Sequence, residues 1–166
     1  TATDTEVVLT AYREWKEGAF SRFNGMWALA IWDKRRQELI LSRDRFGVKP
    51  LHFTHNEGTL HFASEIKGLL AAGANRKLNR ERAADFLRWG TVNHTNETFF
   101  DGIHSFPPGH YVVLTRSQLR EVRPVPFWRP PAAEKLGSSD ISSAEAEAEF
   151  RRLFSSSVSL RLRSDV

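Results

Sequence analysis

The segment Met26-Trp27-Ala28-Leu29-Ala30-Ile31-Trp32 restricts the fold more than any other part of the chain. Its apolar residues occupy both parities, so a strand here carries hydrophobic side chains on both faces and requires cover on each. Asp33 to Gln37 is polar and turn-like, and Leu39-Ile40-Leu41-Ser42 supplies an antiparallel partner. Such a hairpin needs a second sheet on one face and a helix on the other. The pattern therefore predicts an α+β fold layered as an α/β/β/α sandwich. The same run is far too short to cross a bilayer.

Other elements follow from local signals. Thr3-Asp4-Thr5-Glu6 has the form of a capping box, with the Thr3 hydroxyl taking a helical amide. Val8, Ala11, Tyr12 and Trp15 then recur at helical spacing, and Gly18 is expected to stop the helix. Leu51–His55 and Thr59–Ala63 flank Asn56-Glu57-Gly58, which reads as a hairpin with a three-residue loop. In that register His55 pairs with Thr59 and Phe53 with His61, placing His55 and His61 on one face and His52 on the other. Short helices are expected at Glu65–Ala72 and at Arg80–Trp89, the latter between an Asn79 N-cap and Gly90. Pro107-Pro108-Gly109 turns into a strand over His110–Thr115.

From Pro124 to Ser143 the composition shifts to Pro, Ala, Gly and Ser, the signature of a linker. Beyond it Phe150, Leu153, Phe154 and Val158 mark one face of a helix, with Arg151 and Arg152 on another. The 166 residues contain no cysteine, which excludes disulfides, thiolate metal sites and a cysteine nucleophile within them. Lys and Arg number 24 against 20 acidic residues, a surplus too mild to indicate nucleic acid. No secretory signal is visible, and a cytoplasmic location is expected. The chain opens on Thr1 and ends at Val166 directly after the last helix, so both ends read as cut.

Several blocks, in order, resemble the class II glutamine amidotransferase domain of the glutamine-hydrolysing asparagine synthetases. They are Thr3-Asp4-Thr5-Glu6, Arg22-Phe23-Asn24-Gly25-Met26-Trp27-Ala28, and Ser42-Arg43-Asp44-Arg45-Phe46-Gly47-Val48-Lys49-Pro50-Leu51. Phe62-Ala63-Ser64-Glu65-Ile66-Lys67 and Phe106-Pro107-Pro108-Gly109-His110 continue the series. The resemblance covers Thr3 to about Trp128, and Leu160 to Val166 is similar to the family's approach to its ATP loop.

That resemblance implies an N-terminal-nucleophile sandwich, incomplete at its N-terminus, over 1–128. A linker over 129–143 and the first helix of an ATP-pyrophosphatase-like domain over 144–166 complete the expected organisation. In the family a first Cys attacks the glutamine amide, with its own α-amino group as base. Ammonia then travels through an internal tunnel to a site where ATP and magnesium have activated aspartate. The Cys and the pyrophosphate loop are missing from this sequence. No catalytic residue is therefore expected in the chain, and ATP and Mg2+ belong to the complete enzyme. The implied partners are glutamine, aspartate and the synthetase domain, with a homodimer possible and neither nucleic acid nor membrane involved. A related synthetase with another carboxylate acceptor, or a non-catalytic binding remnant, is the alternative.

Asp4 is the one functional residue the resemblance carries over, as the partner of the glutamine α-ammonium. A carboxylate there selects a free amino acid by a charge-assisted hydrogen bond, and it also suits the first turn of a helix. Thr1, though an N-terminal Thr, falls downstream of the family's nucleophile and is not expected to react. Arg43, Asp44 and Lys49 are read as pinning a corner around Gly47, with Pro50 as the exit. Ser64 and Glu65 are read as an N-cap and a first-turn carboxylate. His52, His55 and His61 lack a nearby carboxylate or thiolate, and no metal site is expected. Arg151, Arg152, Arg161 and Arg163 are read as a solvated flank or contacts to the synthetase domain. Without the opening strands, the face of Trp27, Leu29 and Ile31 is expected to lie partly bare.

Overall fold

The computed structural model describes residues 3–119, 121–132 and 141–162. The chain separates into two units, Thr1–Arg129 and Pro130–Val166. In chain order the first unit holds α1 (Asp4–Trp15), a 3-10 turn (Lys16–Ala19), β1 (Ala28–Asp33), β2 (Glu38–Arg43), β3 (His52–Asn56) and β4 (Thr59–Ala63). After them come α2 (Ile66–Ala71), α3 (Arg80–Trp89), β5 (Ile103–Ser105), β6 (His110–Thr115) and β7 (Val125–Pro126). The second unit contributes α4 (Ser143–Arg161).

The strands form two antiparallel sheets, one ordered β1-β2-β6-β7 and the other β4-β3-β5. Three apolar clusters hold the first unit together. Tyr12, Phe20, Ile31 and Ile40 join α1 and the 3-10 turn to one face of the four-stranded sheet. Leu41, Phe53, Phe106, Val112 and Leu114 fill the space between the sheets. Leu69, Ala74 and Ile103 lie where α2 meets the three-stranded sheet. Adjacent residues of β2, Ile40 and Leu41, enter different clusters, as strand alternation dictates.

Double coverage thus belongs to β2, and β1 departs from expectation. β1 is the terminal strand of its sheet. Its odd residues, with Trp27 just ahead of the strand, pack with α1, Ile31 being buried and Trp27 and Leu29 partly so. The opposite parity is the barer one: Ala30 is exposed and Trp32 is 51% exposed. The face of Trp27, Leu29 and Ile31 is thus partly bare as expected, Trp27 and Leu29 being half-covered by α1 and lining an open cleft. On the other parity only Ala28 packs between the sheets.

The β3–β4 hairpin is also corrected. Asn56 pairs with Thr59, so only Glu57 and Gly58 form the turn, with φ of 49° and 79°. Two successive left-handed residues make the twisted two-residue connection that hairpins favour. The register moves by one, His55 facing Leu60 and Thr54 facing His61. A one-residue slip exchanges faces, so His61 shares a face with His52 and not with His55.

Helix ends show smaller departures. Thr3 is the N-cap of α1 in extended geometry, but its side chain makes no capping bond. Lys16, at φ 50°, breaks the helix before Gly18 is reached. α2 is capped at Glu65, again without a side-chain bond, so Ser64 lies just outside it. α3 matches its signals: Asn79 Oδ1 accepts the Arg82 amide at 3.2 Å and Gly90 turns left-handed. β5 and β7 are too short to leave a pattern and owe their form to their neighbours.

In the second unit α4 begins with a complete capping box between Ser142 and Glu145. Phe150 and Phe154 stack at 6.0 Å, both exposed. The stretch 133–140 lies outside the described residues, as do Thr1 and Arg163.

Candidate functional site

Asp4 opens α1 and stands on the wall of an open cleft of ≈ 530 Å³. Thr5 and Val8 continue that wall from the same helix. Trp27, Lys49 and Ser64 line the same cleft from other segments of the chain. Asp4 is exposed, and among the described residues it makes no ion pair. The cavity is apolar along its length and polar at a few points, the composition expected of a small-molecule site.

The Trp27 and Lys49 part of the cleft is fixed by Asp44. This side chain is 1% exposed, and its carboxylate accepts four backbone amides. Oδ1 takes those of Phe46 (3.1 Å) and Val48 (3.0 Å). Oδ2 takes those of Lys49 (3.0 Å) and Trp27 (3.3 Å). Two cleft residues from separate segments are thereby tied to one buried charge. Trp27 is steadied further by Nε1 donating to Ser42 Oγ at 3.2 Å and by a stacked Phe127 ring at 5.8 Å.

Arg43 closes the same corner from the other side. Its Nε donates to the Lys49 carbonyl (2.8 Å) and Nη2 to that of Gly47 (2.7 Å). Nη1 reaches Ser105 Oγ (3.0 Å) and the Phe106 carbonyl (2.7 Å). Burial pulls the Arg43 pKa below its ordinary value, with Asp44 acting in the opposite direction. Gly47 sits at φ 65°, and an added Cβ would lie 3.0 Å from both Arg43 Cζ and Pro108 Cγ. The corner role read from the sequence is correct. It is performed by two separate clamps on the backbone, since Arg43 spends its donors on carbonyls and Ser105.

Lys49 and Ser64 were read as structural and line the cleft as well. The Ser64 carbonyl accepts from His52 Nδ1 at 3.1 Å, which fixes the proton on that nitrogen. Burial holds the His52 imidazole below its ordinary value; the Ser64 bond raises it and Arg43 lowers it further. His55 Nε2 donates to the Leu119 carbonyl at 2.6 Å, away from His61. Among the described residues no group of three or more His, Cys, Asp or Glu is placed to hold a metal ion. Arg151 pairs with Glu147 (2.9 Å), Arg152 with Glu149 (2.6 Å), and Arg161 donates to the Ser157 carbonyl. These arginines are occupied along α4 itself. Trp27 carried a signal the sequence reading used only for the fold: a large aromatic with a polar N–H, two residues after Gly25 and one before β1, at a cavity edge.

A family model described as a glutamine amidotransferase domain matches residues 1–128, and the chain belongs to that family. Among its relatives is asparagine synthetase (glutamine-hydrolyzing) 3 of Bacillus subtilis, 32% identical over 99% of this chain and 26% of its own length. Asparagine synthetase (glutamine-hydrolyzing) 2 of the same organism is 34% identical over 100% of this chain and 23% of its own. The amidase chyE of Penicillium rubens is 34% identical over 99% of this chain and 24% of its own. The chain thus spans about a quarter of the length of these relatives. Among the described residues no helix is long and apolar enough to cross a membrane.

Proposed function

We propose that this chain is part of a glutamine-hydrolysing asparagine synthetase and forms much of its glutamine-binding half. The observation that carries the proposal is Asp4 lining a cleft together with Trp27, Lys49 and Ser64, in a chain of the amidotransferase family. Asp4 would hold the α-ammonium of glutamine, an interaction that a plain amide cannot make. The nucleophilic thiol comes from polypeptide outside these residues, which contain no cysteine. Its attack on the side-chain amide carbon expels ammonia and leaves a thioester, and water then releases glutamate and restores the thiol.

The clusters on either side of both sheets support an incomplete four-layer sandwich of the N-terminal-nucleophile type. In this reading 1–128 is the amidotransferase part, 129–143 a linker, and 144–166 the start of the synthetase domain. ATP and magnesium would serve aspartate activation in the complete enzyme, and no residue described here is assigned to them. The free edge of β1 and the bare Trp32 are where the remainder of the sandwich would add. A related synthetase with a different carboxylate acceptor is a second reading, since similarity of the same level extends to relatives in Penicillium rubens and Gibberella zeae that are named amidases and not asparagine synthetases.

The test is Asp4→Asn in the complete enzyme. Loss of a charge-assisted contact is expected to raise the KM for glutamine about 100-fold, with ammonia-driven synthesis intact. Equal loss of both activities would remove Asp4 from the glutamine site.

A further inference from the structure

Six asparagines occur in the chain, and Asn24 alone is followed by glycine. The pair lies in the connection between the 3-10 turn and β1, outside regular structure, with both residues exposed. Among the described residues, neither the Asn24 side chain nor the Gly25 amide has a hydrogen-bond partner. Glycine sets no side chain beside its own nitrogen and leaves the backbone a wide range of angles. The Gly25 nitrogen is therefore free to approach the Asn24 side-chain carbon, a ring closure that a regular backbone forbids.

The other asparagines are held or shielded. Asn56 is paired in the β3–β4 hairpin, and its Nδ2 donates to the Gly73 carbonyl at 3.0 Å. Asn75 and Asn79 accept backbone amides through Oδ1, at 2.9 and 3.2 Å. Asn93 and Asn96 are followed by His94 and Glu97, whose side chains crowd the attacking nitrogen. Asp101-Gly102 has the related Asp-Gly sequence. There Lys77, bonded at 2.8 Å, holds the Asp101 carboxyl below its ordinary range, and an ionised carboxylate is a poor electrophile.

We propose that Asn24-Gly25 is a site of spontaneous deamidation to aspartate and isoaspartate, and that the isoaspartate form loosens the Trp27 part of the cleft. The Gly25 nitrogen gives up its proton and attacks Asn24 Cγ. The new C–N bond closes a succinimide ring, and the Cγ–Nδ2 bond breaks to release ammonia. Water then opens the ring. Addition at Cγ gives aspartate; addition at the Asn24 backbone carbonyl gives isoaspartate, whose main chain runs through the side-chain carbons. Water is the sole co-reactant.

The second product matters because of what lies on either side of it. Phe23 is edge-on to Trp27, with ring centroids 5.4 Å apart. Trp27 donates its amide to Asp44 Oδ2, and its carbonyl accepts the Asp44 amide at 2.9 Å. The segment is thus anchored at both ends, and isoaspartate inserts a methylene between the anchors. Met26 and Trp27 line the Asp4 cleft. The added length has to be taken up at that lining or by stretching the Asp44 clamp.

The test uses the complete enzyme, aged at neutral and at alkaline pH and mapped by peptide mass spectrometry. The peptide holding Asn24 should gain about 1 Da, sooner at alkaline pH because the attacking nitrogen must lose its proton. An isoaspartyl methyltransferase should label the same peptide. Asn24 left intact under conditions that deamidate a free peptide of residues 22–28 overturns the proposal. A Cβ added at Gly25 meets nothing within 4 Å, so Gly25→Ala leaves the fold undisturbed. That variant should slow the conversion about tenfold or more. An equal rate overturns the ring-closure route, and should the variant fail to fold, the wild-type map decides alone. Amide hydrogen exchange at Trp27 should be about tenfold faster in the isoaspartate form than in fresh enzyme. Asn24→Asp, which adds the charge without the methylene, should exchange as the fresh enzyme does. Unchanged exchange in the isoaspartate form overturns the effect on the cleft.

Discussion

Two loops of the first unit are held by polar side chains, and they differ in where those side chains sit. At residues 43–49 a carboxylate 1% exposed accepts four backbone amides while a half-buried guanidinium takes the carbonyls. At residues 94–97 the anchor is Arg82, which reaches Asp85 (3.1 Å), Glu97 (3.3 Å), His94 Nε2 (2.8 Å) and Thr95 Oγ1 (3.2 Å). His94 Nε2 also lies 2.9 Å from Asp85 Oδ2. The number of contacts is similar. Glu97 and His94 are wet, however, with 47% and 37% of their side chains exposed. Water can replace what they give, but it cannot reach Asp44. One network fixes a cleft wall; the other trims a surface loop.

The sharpest way to break this comparison is to remove each centre. Asp44→Ala leaves four amides without their acceptor and is expected to destabilise the protein by about 3–5 kcal/mol, with loss of the cleft. Arg82→Met removes a guanidinium that is itself 15% exposed but whose partners water can reach. It should cost less than Asp44→Ala, about 1–2 kcal/mol, its loss shrinking in high salt. Denaturant titration of both variants checks the order. Equal losses would mean that burial does not separate the two networks.

A smaller effect sharpens the picture at the edge of the cleft. Burial lowers the folded-state pKa of His52 below 6.5, so the unfolded chain binds its proton more tightly. The His52 contribution is accordingly complete above the unfolded value and is lost as pH falls below it toward the folded one. Stability of the wild type should therefore rise with pH through that window more steeply than that of His52→Gln. Parallel curves would show that His52 titrates alike in both states.

Much of the frame was legible because it rests on periodicity and on residues with one use. The β1–β2 hairpin follows from an apolar run, a polar turn and a second run. Asn79 and Gly90 bracket α3 because a side-chain acceptor and a left-handed stop have few other roles. Thr3, by contrast, has the capping form without the bond. The β3–β4 register was misread because three residues in Asn56-Glu57-Gly58 look like loop, whereas Asn56 can pair once Glu57 accepts a positive φ. Asp4 was singled out only through the family resemblance, and the structure places it on the lining of a cleft. The rest of that lining was not legible, because Lys49 and Ser64 reach it through contacts made by Arg43, Asp44 and His52, far from Asp4 in sequence.

The central claim is that Asp4 reads the α-ammonium of the substrate, and substrate discrimination measures this most directly. In the complete enzyme, hydrolysis of glutamine should be compared with that of the same amide lacking the α-amino group. The account predicts that the wild type favours glutamine about 100-fold in kcat/KM and that Asp4→Asn erases most of that preference. A preference that survives in Asp4→Asn would contradict it.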